Sequence, residues 1–194
     1  TNISDGREVM GRCGVFLDRD GVINIDHGYV YRIEDFTLID GVLDACRAWK
    51  KQGASLVIVS NQSGIARGFF TPNDLAILNE HIKSLFSLAG APLSGIYCCP
   101  HLKDAPVAAY RVACHCRKPE PGLFFQAAEE LRIELADSIA FGDKNRDLQA
   151  ARRAGIPTRI LLGKDGLAEP VMTPDATGTA RNLLQATERL LGTA

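Results

Sequence analysis

The chain has 194 residues, enough for one domain with a sizeable core and too few for two of ordinary size. Apolar residues make up 46% and charged residues 23%, an ordinary globular composition, and no apolar run approaches the ~20 residues of a membrane span. The formal net charge of -1 gives no reason to expect nucleic acid or an acidic membrane as a partner.

Thr1 to Arg12 lacks an apolar core segment, so residues 1–13 read as a flexible leader rather than a signal peptide, ahead of one domain over 14–194. With no export signal the expected compartment is the cytoplasm, and a monomer is the default. Gly14 to Leu17 predicts a buried strand that delivers Asp18 and Asp20 into the turn at Gly21. Asn24 to Phe36 is polar and aromatic without a period, and reads as a loop. Val42 to Gln52 predicts a helix with Val42, Leu43, Cys46 and Trp49 on one face, closed by Gly53. Ser55 to Val59 is a second buried strand, ending in the turn cluster Ser60-Asn61-Gln62-Ser63-Gly64. Thr71-Pro72 opens a helix towards Leu88, with a capping hydroxyl before a proline at the first helical position.

Gly95 to Cys98 predicts a third strand, Pro100 to Lys118 an irregular loop, and Pro121 to Leu131 a third helix. Ser138 to Phe141 predicts a fourth strand, Asp147 to Ala154 a helix closed by Gly155, and Thr158 to Leu162 a fifth strand. Gly163 to Asp175 reads as loop and Thr179 to Leu191 as an amphipathic final helix. Strands alternating with helices imply an α/β fold with a parallel sheet covered on both faces. Ligands of such sheets bind beyond the carboxyl ends of the strands, near the switch in strand order. Asp18, Ser60 and Asp143 each fall at such an end, so three polar residues from three strands converge on one rim.

The pair Asp18 and Asp20 suits a carboxylate nucleophile beside a proton-transfer group, provided a metal ion screens their repulsion. A calcium loop would need an acid or amide at 22 and glycine at 23, where this chain has Val22 and Ile23. Asp143 adds a third carboxylate, and hard oxygen ligands favour magnesium. Asp143 and Asp147 also suit a purely structural role as acids at a helix N-terminus, and for Asp147 that role weighs more. Ser60 and Asn61 offer donors to phosphate oxygens, or form an ordinary turn. Arg117 and Lys118 beside such a site suit the charge of a transferring phosphoryl group.

Six cysteines occur. Cys13 and Cys46 sit in apolar surroundings and read as small buried thiols. The other four lie in Cys98-Cys99-Pro100-His101 and Cys114-His115-Cys116. In a reducing compartment these fit metal ligation better than disulfides, as a closed structural zinc site of three thiolates and one imidazole. Cys98 and His115 compete for membership. If successive side chains point opposite ways, Cys99 with His101 and Cys114 with Cys116 are the natural pairs.

Phe16-Leu17-Asp18-Arg19-Asp20-Gly21, Ser60-Asn61-Gln62-Ser63-Gly64-Ile65-Ala66-Arg67-Gly68, Arg117-Lys118-Pro119 and Gly142-Asp143-Lys144 together resemble the haloacid dehalogenase-type phosphatases. Asp26-His27-Gly28-Tyr29-Val30 and the two cysteine elements carry a finer resemblance to the heptose-bisphosphate branch, with the histidinol-phosphate phosphatases as close relatives. The resemblance covers Val15 to about Leu162. It implies a Rossmann-like three-layer α/β/α fold with a zinc-binding loop and no inserted cap domain, since little chain separates Asp18 from Ser60. It implies magnesium-dependent hydrolysis of a sugar phosphate, through a covalent intermediate, in the supply of nucleotide-activated heptose for surface polysaccharide.

Residue by residue, the resemblance makes Asp18 the nucleophile and Asp20 the acid and then base. Ser60 and Lys118 would stabilise the phosphoryl group. Magnesium would sit on Asp18, the Asp20 carbonyl and Asp143, and zinc on Cys99, His101, Cys114 and Cys116. Arg117 would recognise a second phosphate, with Asp26, His27, Gly28, Tyr29, Asn61, Gln62 and Ser63 lining the rest and Lys144 near the metal. Leu102 and Lys103 depart from the family's usual histidine and proline, which alters the zinc loop but not its ligands. Histidinol phosphate as substrate, a non-enzymatic binding module, and a phosphotransferase or mutase using an acceptor in place of water are the rival readings.

Overall fold

The computed structural model describes residues 12–192. Residues 1–11 lie outside them, and with them most of the leader expected over 1–13. Six strands, β1 (Arg12–Leu17), β2 (Ser55–Asn61), β3 (Gly95–Cys99), β4 (Ile133–Gly142), β5 (Thr158–Leu162) and β6 (Gly178–Ala180), form one parallel sheet in the order β3-β2-β1-β4-β5-β6. Helices α1 (Val42–Lys51), α2 (Gly64–Arg67), α3 (Pro72–Leu88), α4 (Gly122–Leu131), α5 (Asn145–Arg153) and α6 (Leu183–Leu191) connect them.

Strand side chains alternate between faces, and both faces here are buried. Val15, Leu17, Leu56 and Ile58 pack with Trp49 of α1, Ile82 and Phe86 of α3 and Leu183 of α6. Phe16, Val57 and Val59 pack on the other side with Leu123 and Phe124 of α4 and Ala150 and Ala151 of α5. The result is the expected three-layer α/β/α architecture. Fully burying one large apolar side chain contributes about 1.5–3 kcal/mol. Covering both faces is what offsets the entropy of ordering the strands, and it is why β1 and β2 read as unbroken apolar runs.

The excursion between β1 and α1 is pinned to its own base by Ile25 N–H on Thr37 O at 2.9 Å and Ile39 N–H on Ile23 O at 2.9 Å. No inserted domain stands there among the described residues. The predicted α3 holds in detail. Thr71 and Asp74 form a reciprocal capping box and Pro72 opens the helix.

Several boundaries differ from expectation for identifiable reasons. β1 starts at Arg12 because Arg12 and Cys13 pair with Ile133 and Glu134, which also extends β4 back to Ile133. A register shift after Cys13 breaks this pairing, and Gly14 N–H bonds the Ser138 hydroxyl at 2.9 Å there. Ser60 and Asn61 belong to β2 rather than to a turn, paired with Cys98 and Cys99. The turn cluster itself continues into α2. Thr179, expected in the last helix, is instead in β6 opposite Leu161. That edge strand spans 3 residues, too short to show a period, and α6 begins after Asn182, whose side chain accepts from Gln185 N–H. α5 begins at Asn145, with Asp147 inside its first turn accepting from Lys144 N–H at 3.1 Å.

The chain steps outward from β1 through β2 to β3, then crosses back to β4 on the other side of β1. The switch point therefore lies between β1 and β4, and Asp18 and Asp143 follow their last residues.

Candidate active site

Asp18 donates its N–H to Phe141 O at 3.0 Å, one more ladder bond beyond β1. That bond fixes its side chain at the switch point, 6% exposed. Lys118 reaches it from the loop before α4. Its Nζ lies 2.9 Å from Asp18 Oδ1 and 2.8 Å from Asp147 Oδ1, and donates to Val59 O at 2.9 Å. Burial works against the Asp18 carboxylate, but the Lys118 charge and hydrogen bond outweigh it and hold the pKa below the usual value. The two carboxylates likewise raise the Lys118 pKa against its burial.

Carboxylate oxygens of Asp18, Asp143 and Asp147 lie within 4.8 Å of one another. Burial, with the Asp18 charge adding to it, pushes Asp143 up to about 6. Asp143 Oδ1 is buried without a hydrogen-bond partner. A crowded acid triplet with an orphaned oxygen fits a hard divalent cation, which would meet the orphan and screen the repulsion. Gly21 permits this approach. Its φ is +87°, and a Cβ there would meet Asp143 Oδ2 at 2.5 Å.

Asp20 is gripped from two sides. Arg19, fully buried, donates to both its oxygens at 2.9 and 3.0 Å, and Asn24 Nδ2 adds a bond at 3.0 Å. Gln62 Nε2 donates to Asp20 Oδ2 at 3.0 Å and to Ser60 Oγ at 2.9 Å. Both amide atoms of Asn61 are taken by the backbone of Lys118, each at 3.0 Å. Asn61 and Gln62 thus hold Lys118 and Asp20 in place.

Asp18, Asp20, Asp26, Gly28, Tyr29, Ser60, Asn61, Gln62, Ser63, Arg117, Lys118 and Lys144 all line one cavity of about 290 Å³. His27 does not line it and is exposed. Asp26 Oδ2 stands 3.6 Å from Lys144 Nζ, and Lys144 Nζ stands 3.1 Å from Asp143 Oδ2.

Cys99, His101, Cys114 and Cys116 converge beside this cavity. The sulfur atoms lie 3.0–3.5 Å apart, and His101 Nδ1 is 3.4 Å from Cys116 Sγ and 3.7 Å from Cys99 Sγ. A tetrahedron around zinc with bonds of about 2.3 Å has edges of about 3.8 Å, so this donor set fits zinc with a small expansion. Strand alternation decides the membership. Cys99 faces α4, while Cys98 faces Ile65, Phe70 and Leu75 on the opposite side of the sheet. His115 is exposed and contributes its carbonyl to Gly122 N–H at 2.8 Å. The cluster leads directly into Arg117, whose Nη1 donates to His101 O at 3.1 Å.

The model of the haloacid dehalogenase-like hydrolases matches residues 13–155. The chain belongs to this family. D-glycero-beta-D-manno-heptose-1,7-bisphosphate 7-phosphatase of Yersinia pestis is 50% identical over 157 residues, covering 80% of this chain and 84% of the relative. The relative of the same name in Escherichia coli K12 is 46% identical, over 86% of this chain and 85% of its own length. Among solved structures, D,D-heptose 1.7-bisphosphate phosphatase from B. bronchiseptica, complexed with magnesium and phosphate, superposes with a TM-score of 0.79. It is 31% identical, with 94% of this chain and 99% of that chain covered.

In this haloacid dehalogenase-like hydrolase the sequence reading missed several groups. Asp147 caps α5 as expected but also joins the acid cluster and pairs with Lys118. Arg67 and Arg146 line the cavity. Asp165, in a segment read as plain loop, accepts from Asp26 N–H at 2.8 Å and so anchors the Asp26–Tyr29 stretch. Only the capping position of Asp147 was visible as a local pattern; the other contacts are long-range.

Proposed function

We propose that this protein is a magnesium-dependent phosphatase that removes the 7-phosphate of D-glycero-D-manno-heptose 1,7-bisphosphate, in the supply of nucleotide-activated heptose. The observation that carries the reading is the buried Asp18–Lys118 contact of 2.9 Å at the switch point, beside an acid cluster and inside a cavity of about 290 Å³. The relatives' printed names support the substrate, and their β designation favours that anomer.

Asp18, kept ionised by Lys118, attacks phosphorus, and the bond from phosphorus to the sugar oxygen breaks as Asp20 protonates that oxygen. Asp20 then takes a proton from water. The resulting attack on the aspartyl-phosphate breaks its bond to Asp18 and releases inorganic phosphate. Lys118 and Ser60 hold the phosphoryl oxygens, and Asn61 and Gln62 keep Lys118 and Asp20 aligned for both steps. Magnesium on Asp18, the Asp20 carbonyl and Asp143 would neutralise charge on the phosphoryl group when bound. Asp26, Gly28, Tyr29, Ser63 and Lys144 line the sugar's side of the cavity. The reading includes action as a cytoplasmic monomer on a small sugar phosphate.

Steady-state turnover with magnesium on both heptose 1,7-bisphosphate anomers and histidinol phosphate tests the assignment. The expected result is the highest kcat/KM on the β-bisphosphate, with only the 7-phosphate released. Faster turnover of histidinol phosphate moves the enzyme to that substrate class, and no phosphate release from any of the three leaves a binding module.

We assign zinc to Cys99, His101, Cys114 and Cys116, where it would fasten a loop that carries little regular hydrogen bonding. Metal analysis of fresh protein is expected to find about one zinc per chain. Chelation should raise hydrogen exchange over 99–118 before it does so in β1 and β2, and should lower Tm by about 2–4 °C for each kcal/mol lost. Zinc, not magnesium, should restore both. Protein free of zinc as purified would remove the assignment.

A further inference from the structure

The charges lining the cavity do not balance locally. Asp18 and Asp147 share Lys118, Asp20 pairs with Arg19, and Asp26 and Asp143 face Lys144. That leaves Arg67, Arg117 and Arg146, which line the same cavity and have no carboxylate at ion-pair distance among the described residues. Asp147, the neighbour of Arg146 in α5, is committed to Lys118 at 2.8 Å.

The three arginines come from separate elements. Arg67 ends α2, Arg117 follows the cysteine cluster, and Arg146 is in the first turn of α5. Two of them are held in place: the Arg67 guanidinium lies 5.9 Å from the Tyr29 ring centre, and Arg117 is bonded to His101 O. Arg146 stands where a helix dipole disfavours a cation and favours an anion. Three guanidiniums thus line one cavity with no carboxylate paired to any of them among the described residues. A phosphate would pair with them, and its geometry matches the guanidinium fork.

We propose that Arg67 and Arg146 join Arg117 in one anion subsite at the rim of the cavity, which holds the phosphate that is not cleaved. The proposal rests on the phosphatase reading above and extends it to two further specificity-determining residues. Depth separates the two phosphates. Lys118 and Asp18 are buried at the floor, whereas Arg67 and Arg146 are exposed and Arg117 half-buried. The floor takes the phosphoryl group that transfers, and the rim selects substrates that carry a second one.

The test uses the full zinc- and magnesium-loaded chain carrying Asp18→Asn, so that substrate binds without turnover. Calorimetry compares heptose 1,7-bisphosphate with heptose 7-phosphate. The bisphosphate is expected to bind at least about tenfold more tightly. Adding Arg146→Gln or Arg67→Gln should weaken bisphosphate binding by about tenfold, the scale of one charge-assisted contact, and should change 7-phosphate binding by less than about twofold. A bisphosphate that binds no more tightly than the monophosphate overturns the subsite. So does equal weakening of both ligands, or unchanged bisphosphate affinity in both arginine variants. Wild-type turnover is scored separately. A wild-type enzyme that prefers histidinol phosphate sinks the heptose assignment, while the affinity contrast still decides the subsite.

Discussion

Asp18→Asn is expected to lower turnover by about 10⁴-fold or more, the scale seen when a covalent nucleophile is removed, with the fold intact. The amide matches the carboxylate in size but cannot form the phosphoenzyme. Two electrostatic effects oppose each other in the folded state. Lys118 loses one of its two carboxylates, which destabilises. Asp143 and Asp147 lose a charge that now raises both their pKa values, which stabilises. Because Lys118 keeps Asp147 at 2.8 Å, no buried cation is left unpaired. The net change should stay within about 1 kcal/mol, well below the ~3–5 kcal/mol of a broken buried pair. Turnover, Tm and acid-quenched phosphoenzyme together check this. A variant that hydrolyses substrate at near-wild-type rate would place the nucleophile elsewhere.

Lys118→Met should damage both stability and activity. Its side chain is 1% exposed, and its ammonium lies between two carboxylates that are themselves buried. Removing it leaves Asp18 and Asp147 with no cation at ion-pair distance, since Lys144 is engaged by Asp143 and Asp26, a loss of about 3–5 kcal/mol. At about 2–4 °C of Tm per kcal/mol for a chain of this size, the expected fall is about 6–20 °C. Turnover should fall by at least about 10²–10³-fold, because the group that opposes phosphoryl charge is gone. Added magnesium should recover part of the Tm, since a divalent ion supplies charge to the same acid cluster, and little of the turnover. A Tm unchanged from wild type would show that the two carboxylates do not depend on Lys118.

The two variants separate roles that proximity alone would merge. Asp18 is read as chemistry with little structural weight, because a second carboxylate stands behind it. Lys118 is read as both, because nothing stands behind it. The same logic applies to Asp20. Arg19, Asn24 and Gln62 all hold it, so its orientation is over-determined and, on the proposed reading, its proton is what the site uses.

Local residue choice wrote much of this protein into its sequence. The unbroken apolar runs of β1 and β2, the Thr71-Pro72 opening of α3 and the glycines after helices each carry their physics within a few residues. So do Asp18 and Asp20, placed where an apolar strand stops, and the two close cysteine pairs, although only the packed sheet brings Cys99 rather than Cys98 to the other three donors. What the fold alone decided depends on segments far apart in the chain. β6 is a strand only because β5 offers its edge. Asp147 looks like an ordinary capping acid until Lys118, from another loop, arrives at 2.8 Å. Asp165 matters only because the loop holding it returns to Asp26, and Arg67 and Arg146 face one cavity only once α2 and α5 are packed. Short-range patterns fix backbone conformation and the direction of a side chain on its element. Which charges meet, and which are left without a partner, is fixed by the closing of the sheet.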